Sequence, residues 1–239
     1  MKPYIKHPWP VSKNEALELQ IELSHNVIND DKYNIINLVA GVDVAYDKDT
    51  NKLVAAVVIL NSDTLNVVET VTVDSVSLFP YIPGLFSFRE LPPIIKAFDK
   101  LKNTPDLVVC DGQGIAHPRN FGLACHLGVI FDIPTIGCGK TRLIGEYKIP
   151  GISRGSVAPL IFNDKIIGNV LRTQNNIKPV FISIGHRISL ASACEWILKL
   201  TPRYRLPETT RYADQAVRKA LKALTTTSLL STPTRQSDH

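Results

Sequence analysis

The sequence predicts an α/β domain built on one mixed β-sheet with helices on both faces. Three observations carry that reading. Three β-branched runs follow one another with only short turns between them, which makes an antiparallel meander. Helical and strand patterns then alternate to the end of the chain, which calls for strands covered by helices. The 239 residues are 44% hydrophobic, ample material for a core.

Each element follows from its local pattern. The runs Leu38 to Tyr46 (LVAGVDVAY), Leu53 to Leu60 (LVAAVVIL) and Val67 to Val76 (VVETVTVDSV) are separated by the turn-rich DKDTNK and NSDTLN. Leu91, Ile94, Ile95, Phe98 and Leu101 recur at helical spacing, and a strand is expected at Asp106 to Cys110. A helix over about Arg119 to Phe131 precedes a strand at Thr135 to Cys138. Further strands are expected at Val157 to Phe162, Ile166 to Leu171 and Val180 to Ile184. Helices at about Ser189 to Leu200 and Thr209 to Leu224 complete the set. The expected organisation is a single domain over residues 1–225 followed by a flexible tail, 226–239, where periodicity is lost. No internal repeat and no linker interrupts it.

Composition removes several function classes. No run approaches the length of a membrane span, and the opening MKPYIKHPWP lacks a signal peptide's apolar stretch, so a cytoplasmic protein with no membrane partner is expected; a monomer is expected as well. Cys110, Cys125, Cys138 and Cys194 form no C-x-x-C pair, which argues for buried thiols rather than a zinc site or disulfide framework. The net charge of +5 is compatible with a polyanionic partner and does not require one.

The stretch FPYIPGLFSFRELPP, Phe79 to Pro93, concentrates rigid aromatic and proline residues on a turn with a single carboxylate, Glu90. Other acidic residues sit where a carboxylate needs a reason. Asp43 lies inside the first strand between Val42 and Val44, where it is costly unless paired, hydrogen-bonded or metal-bound. Asp111 ends the strand DLVVC before Gly112-Gln113-Gly114, at the edge where open α/β sheets bind ligands. Asp214 lies beside the apolar stripe of the last helix. Each has a structural alternative: Glu90 in a capping box with Ser87, Asp111 in an Asx-turn, Asp214 as a solvated helix residue. As a set they could converge on one sheet edge, where like charges raise one another's pKa unless cations are present. Oxygen-only ligands suit Mg²⁺ or Mn²⁺, ions that promote phosphodiester cleavage.

The motifs GVDVAY around Asp43, PYIPG at Pro80 to Gly84, FRE ending in Glu90, and DLVVCDGQGIAHPRNFGLACHLG from Asp106 resemble those of the endonuclease V family. So do IGCGKTRLIG from Ile136, SIGHRISL from Ser183 and RLPETTRYAD ending in Asp214. The resemblance covers nearly the whole chain from GVDVAY onward. It implies a ribonuclease H-like fold and a DNA-repair endonuclease that cuts the second phosphodiester bond 3′ to deoxyinosine. By resemblance, Asp43 and Asp111 bind magnesium, with Mn²⁺ able to substitute; Glu90 and Asp214 complete the acidic site, and Lys140 assists at the phosphate. Pro80, Tyr81, Ile82, Pro83 and Gly84 resemble the family's wedge, with Tyr81 filling the space of an extruded nucleotide. A hydrophobic turn packed on its own core is the alternative.

Hypoxanthine recognition needs only a backbone donor and acceptor in a tight pocket. Gly84, Gly112 and Gly137 are expected on loops where backbone can approach a base, and Leu123 and Leu143 as apolar walls. GCGKT fails the phosphate-loop pattern because Pro134 occupies the earlier glycine position. His117 and His126 read as local hydrogen-bonding groups or phosphate contacts rather than zinc ligands. Arg211, Arg218, Lys219 and Lys222 suit either a backbone-binding face or a solvated one. Two other functions compete: cleavage of inosine-containing RNA, and binding of distorted duplexes without cutting. The acidic set argues against the latter, since a binder gains nothing from negative charge beside phosphates.

Overall fold

The computed structural model describes residues 1–47 and 50–230. Among these, eight strands form one sheet in the order β3-β2-β1-β4-β5-β8-β7-β6. The expected meander is β1 (Leu38–Tyr46), β2 (Lys52–Asn61) and β3 (Val67–Val76), paired antiparallel. Lys48 and Asp49 of its first turn lie outside the described residues. Next to β1, strands β4 (Leu107–Cys110) and β5 (Thr135–Gly139) run parallel to it. The antiparallel strands β6 (Val157–Phe162), β7 (Lys165–Leu171) and β8 (Val180–His186) extend the sheet beyond β5.

Helices cover both faces, as the patterning requires. On one face, α2 (Phe86–Asp99) and α3 (Leu123–Phe131) bury Leu91, Ile94, Phe98, Leu127 and Ile130 against the even-numbered β1 residues Ala40, Val42 and Val44. On the other, α4 (Leu190–Lys199) and α5 (Glu208–Leu230) set Ala193, Ile197 and Ala213 against Val39, Val109 and Ile182. The β-strand period of two thus distributes one strand's residues between two separate cores.

Four elements depart from expectation, one of them α3, which begins at Leu123 rather than near Arg119 because Gly122 is its N-cap. Helix α1 (Lys13–Ser24), capped by Ser12, has no counterpart in the sequence reading, because only Ala16, Gln20 and Leu23 are buried and one of those is polar. Helix α2 starts five residues before Leu91 and carries Pro92 and Pro93 inside it, giving up two backbone hydrogen bonds. Its N-cap, Leu85, makes no side-chain cap, so Ser87 and Glu90 do not form a capping box. Helix α5 continues six residues past Leu224 to Leu230; residues 231–239 of the expected tail lie outside the described residues. Cys110, Cys125 and Cys138 are buried, as expected of small apolar residues, and Cys194 is partly exposed. Among the described residues no helix is long and apolar enough to cross a membrane.

Candidate active site

The parallel register pairs Val42 with Cys110. Asp43 and Asp111 are therefore the next residues on two neighbouring strands, and β4 ends there, opening the sheet beside β1. Asp43 shares its face with Gly41, and a Cβ on Gly41 would lie 2.1 Å from the Thr209 carbonyl oxygen at the start of α5. Only glycine lets α5 approach β1 this closely. The contact brings Asp214, one turn and a half along α5, to the side of the sheet that Asp43 faces.

Electrostatics tie the four carboxylates into one group. Burial pushes the Asp43 carboxyl up to about 6, and the charges of Asp111 and Asp214 add to this, while Lys140 and the Val44 backbone oppose it. Glu90 arrives from α2, on the opposite face, and accepts a hydrogen bond from the Tyr46 hydroxyl at 3.1 Å. Its burial, and then the Asp43 charge, hold it well above the usual carboxylate range. Tyr46 is itself raised by burial and by Glu90, and the Arg89 guanidinium stacks 4.6 Å from its ring centroid. Lys140, immediately after β5, pairs its ammonium with Asp111. Burial lowers the Lys140 pKa, but this ion pair and the charges of Asp43 and Asp214 outweigh it and leave it raised. Asp214 accepts from Arg218 Nε through both oxygens, at 2.9 and 2.8 Å. A cleft of about 500 Å³ opens onto Asp111, Lys140 and Asp214 and is rimmed by Arg205, Arg211 and Arg218.

The aromatic turn stands beside this group. Tyr81 is 67% exposed and meets Phe86 edge-on, with ring centroids 6.4 Å apart. Phe79, Leu85 and Phe88 behind it are buried. The turn therefore has both properties weighed from the sequence: a packed base and a bare tip. A second pocket, about 260 Å³, is lined by Tyr81, Pro83, Gly84, His117, Leu123 and Leu143.

The endonuclease V sequence profile matches residues 21–215. The chain belongs to the endonuclease V family. The endonuclease V of Trichormus variabilis is 49% identical over 216 residues, spanning 90% of this chain and 98% of that protein. The crystal structure of the Streptomyces avermitilis endonuclease V, 49% identical, superposes with a TM-score of 0.88, covering 92% of this chain and 98% of that one. At 26% identity, Ciona intestinalis endonuclease V, solved with a 24mer DNA containing an inosine followed by a ribo-adenosine, superposes with a TM-score of 0.78, covering 88% and 98%. The architecture is the α/β, ribonuclease H-like fold expected of an endonuclease V.

Several expected residues have roles that sequence could not assign. Gly137 lies inside β5, not on a loop, and a Cβ there would come 2.4 Å from the Gly114 nitrogen. Its missing side chain makes room for the protein's own turn at 112–114. Gly112 has ordinary van der Waals space around it, with Leu123 nearest, and Leu143 is half exposed on the pocket rim. Pro80 is exposed and Ile82 packs its side chain on the cluster behind the turn. Burial, then the Arg119 charge, pushes His117 down to about 4, so it is uncharged near neutrality and unsuited to an ionic phosphate contact. His126 is fully buried, its Nδ1 3.0 Å from Ser87 Oγ and its Nε2 3.0 Å from His7 Nε2. Of the expected basic residues, Arg211 pairs with Glu208 and stacks on Tyr204, while Arg218 holds Asp214. Sequence reasoning missed Tyr46, Arg205 and Gln20; no local pattern marks residues whose partners lie dozens of positions away.

Asp43, Glu90 and Asp111 offer only oxygen donors and share a partly desolvated site, which fits a hard divalent cation. Burial, then the charge of Asp111, raises the Asp43 carboxyl, and a cation in the site would oppose both. As the side chains stand, no three acidic, histidine or cysteine groups among the described residues converge closely enough to hold an ion. Lys140 and Arg218 compensate Asp111 and Asp214 instead.

Proposed function

We propose that this endonuclease V is a divalent-metal-dependent DNA-repair nuclease that extrudes a deaminated purine, deoxyinosine foremost, and hydrolyses the second phosphodiester bond on its 3′ side. The observation that carries the reading is the mutual electrostatic coupling of Asp43, Glu90, Asp111 and Asp214 beside Lys140. Negative charge concentrated next to a phosphate path serves cleavage and hinders simple binding. Asp43 and Asp111 would hold the ion. A bound Mg²⁺, or Mn²⁺ in its place, activates water and stabilises the leaving oxygen.

The chain's own groups account for the remaining steps. The Lys140 ammonium, half exposed beside Asp111, can turn toward a phosphate oxygen without leaving the site. Glu90, held toward its protonated form and bonded to Tyr46, can share a proton at the reacting centre. Tyr81 enters the space left by the extruded nucleotide and stacks there, while Pro80 and Pro83 limit the turn's freedom. Flipping costs a few kcal/mol, less at a mispaired base, so the wedge favours lesions before the pocket reads them. Gly84, Leu123, Leu143 and neutral His117 wall a pocket suited to one base, about 260 Å³.

Inosine in RNA is the second reading. It is favoured by the Ciona relative, whose DNA carries a ribo-adenosine after the inosine. Matched DNA and RNA strands with one hypoxanthine, incubated with Mg²⁺, separate the two. Faster turnover of DNA supports the leading reading, faster turnover of RNA the second. Intact strands in both sink the nuclease assignment.

A further inference from the structure

Gln20, on the N-terminal helix, is 1% exposed and lies just outside the segment matched by the family profile. Its side chain makes three hydrogen bonds, with both amide protons used. One amide proton goes to the Gly84 carbonyl at 3.1 Å and the other to the Phe121 carbonyl at 2.7 Å, and Oε1 accepts from Arg119 Nε. Arg119 closes the ring by donating from Nη2 to the same Gly84 oxygen at 2.7 Å. Gly84 ends the PYIPG turn in the left-handed region, φ +78°, where an added Cβ would come 2.7 Å from Arg119 Nη2. The Leu85 amide donates to the Ile82 carbonyl at 2.9 Å, closing the turn from inside. Around this polar ring, Ala16 of α1 shares a buried cluster with Phe79, Leu85 and Phe88, and Ile82 packs on it.

We propose that Gln20 is a positioning residue for the wedge: with Arg119 it clamps the Gly84 carbonyl, fixing the direction in which Tyr81 projects. Rigid presentation matters because a ring that must stack into a closed duplex gains less if the loop must be ordered at the same moment. Helix α1 therefore belongs to the base-extruding apparatus through Gln20, which also borders the pocket beside Tyr81. The hydrogen bonds of the clamp run to Gly84 and Phe121 and to none of the four carboxylates, so its effect is on the wedge rather than on the hydrolytic step. Its consequence for substrates rests on the function proposed above; the clamp itself does not.

Two measurements test it with Gln20→Met, which keeps the volume and removes the polar ring. Amide hydrogen exchange on the free protein should quicken about tenfold at residues 82–88, the effect of losing about one net hydrogen bond, with β1 and β4 unchanged. Unchanged exchange at 82–88 overturns the clamp, whatever the substrate turns out to be. Single-turnover cutting of a paired hypoxanthine duplex should fall about tenfold, cutting of the single strand less than about twofold, and the duplex loss should vanish in a Tyr81→Ala background. Equal loss on both substrates, or full additivity with Tyr81→Ala, overturns the positioning role. Wild-type protein that cuts neither substrate refutes the proposed function and leaves the exchange result to decide the clamp. Should Gln20→Met fail to fold, Arg119→Met removes the second donor from the same carbonyl and must give the same two signatures.

Discussion

Replacing Asp43 by asparagine should make the metal-free protein more stable while abolishing cutting. Burial and the neighbouring charges raise this carboxyl from 3.8 to about 6. A group with a higher pKa in the folded state binds its proton more tightly there, so folding is disfavoured as pH rises between the two values. The penalty is absent below the unfolded pKa and complete above the folded one. Each pH unit between them is worth about 1.4 kcal/mol. The ionised carboxylate thus costs the metal-free fold about 1.5 kcal/mol at pH 5 and about 3 kcal/mol at pH 8. Asparagine keeps the shape and removes the charge. In EDTA, Asp43→Asn should denature about 6–12 °C above wild type at pH 8 and about half that at pH 5, given the entropy of unfolding for a chain of this length. Thermal or urea denaturation across this pH range is the assay. A variant less stable than wild type at pH 8, or a difference independent of pH, would refute the electrostatic account of the site.

Tyr81→Ala should weaken engagement of a paired lesion by about 1–3 kcal/mol, and the single-stranded lesion less, in single-turnover rates and binding; equal losses would return the turn to a packing role. Gly41→Ala should destabilise the protein by about 1–3 kcal/mol or more and reduce cutting, because the new methyl meets the Thr209 carbonyl and pushes α5, with Asp214, away; urea denaturation and activity together check this. Lys140→Gln removes the cation that opposes the Asp43 shift, so the Asp43 carboxyl should titrate higher still by NMR, with a parallel loss of turnover. Burial and His7 hold His126 far below the ordinary imidazole value. Its neutral form is therefore compatible with folding above about pH 6.5, and stability is lost as pH falls below that value; the urea midpoint of wild type should drop more between pH 7.5 and 5.5 than that of His126→Gln.

Local pattern read most of the fold and little of the wiring. Strands β1, β3 and β6 have the expected bounds because β-branched runs flanked by polar turns leave few alternatives. Helix α2 was harder: two prolines mask its first turns, and its helical start is sustained by Phe88 and Leu91 packing rather than by propensity. Helix α1 escaped because a buried glutamine replaces the middle member of its apolar stripe. At the site, Asp43 and Asp111 were legible as carboxylates in costly places. Their coupling to Glu90 depends on where α2 packs across β1, β2 and β3, and Tyr46 on Glu90 is a contact 44 residues apart. Gly137 misled for the complementary reason, since a glycine reads alike whether it admits a base or its own chain.

The most direct test of the central claim is the position of the cut. A 5′-labelled duplex with one hypoxanthine, incubated with Mg²⁺ and resolved to single nucleotides, should yield one product ending at the second phosphodiester on the 3′ side of the lesion, and none with Asp111→Asn. Cleavage at unrelated positions, cleavage undiminished in the variant, or an intact strand would contradict the account.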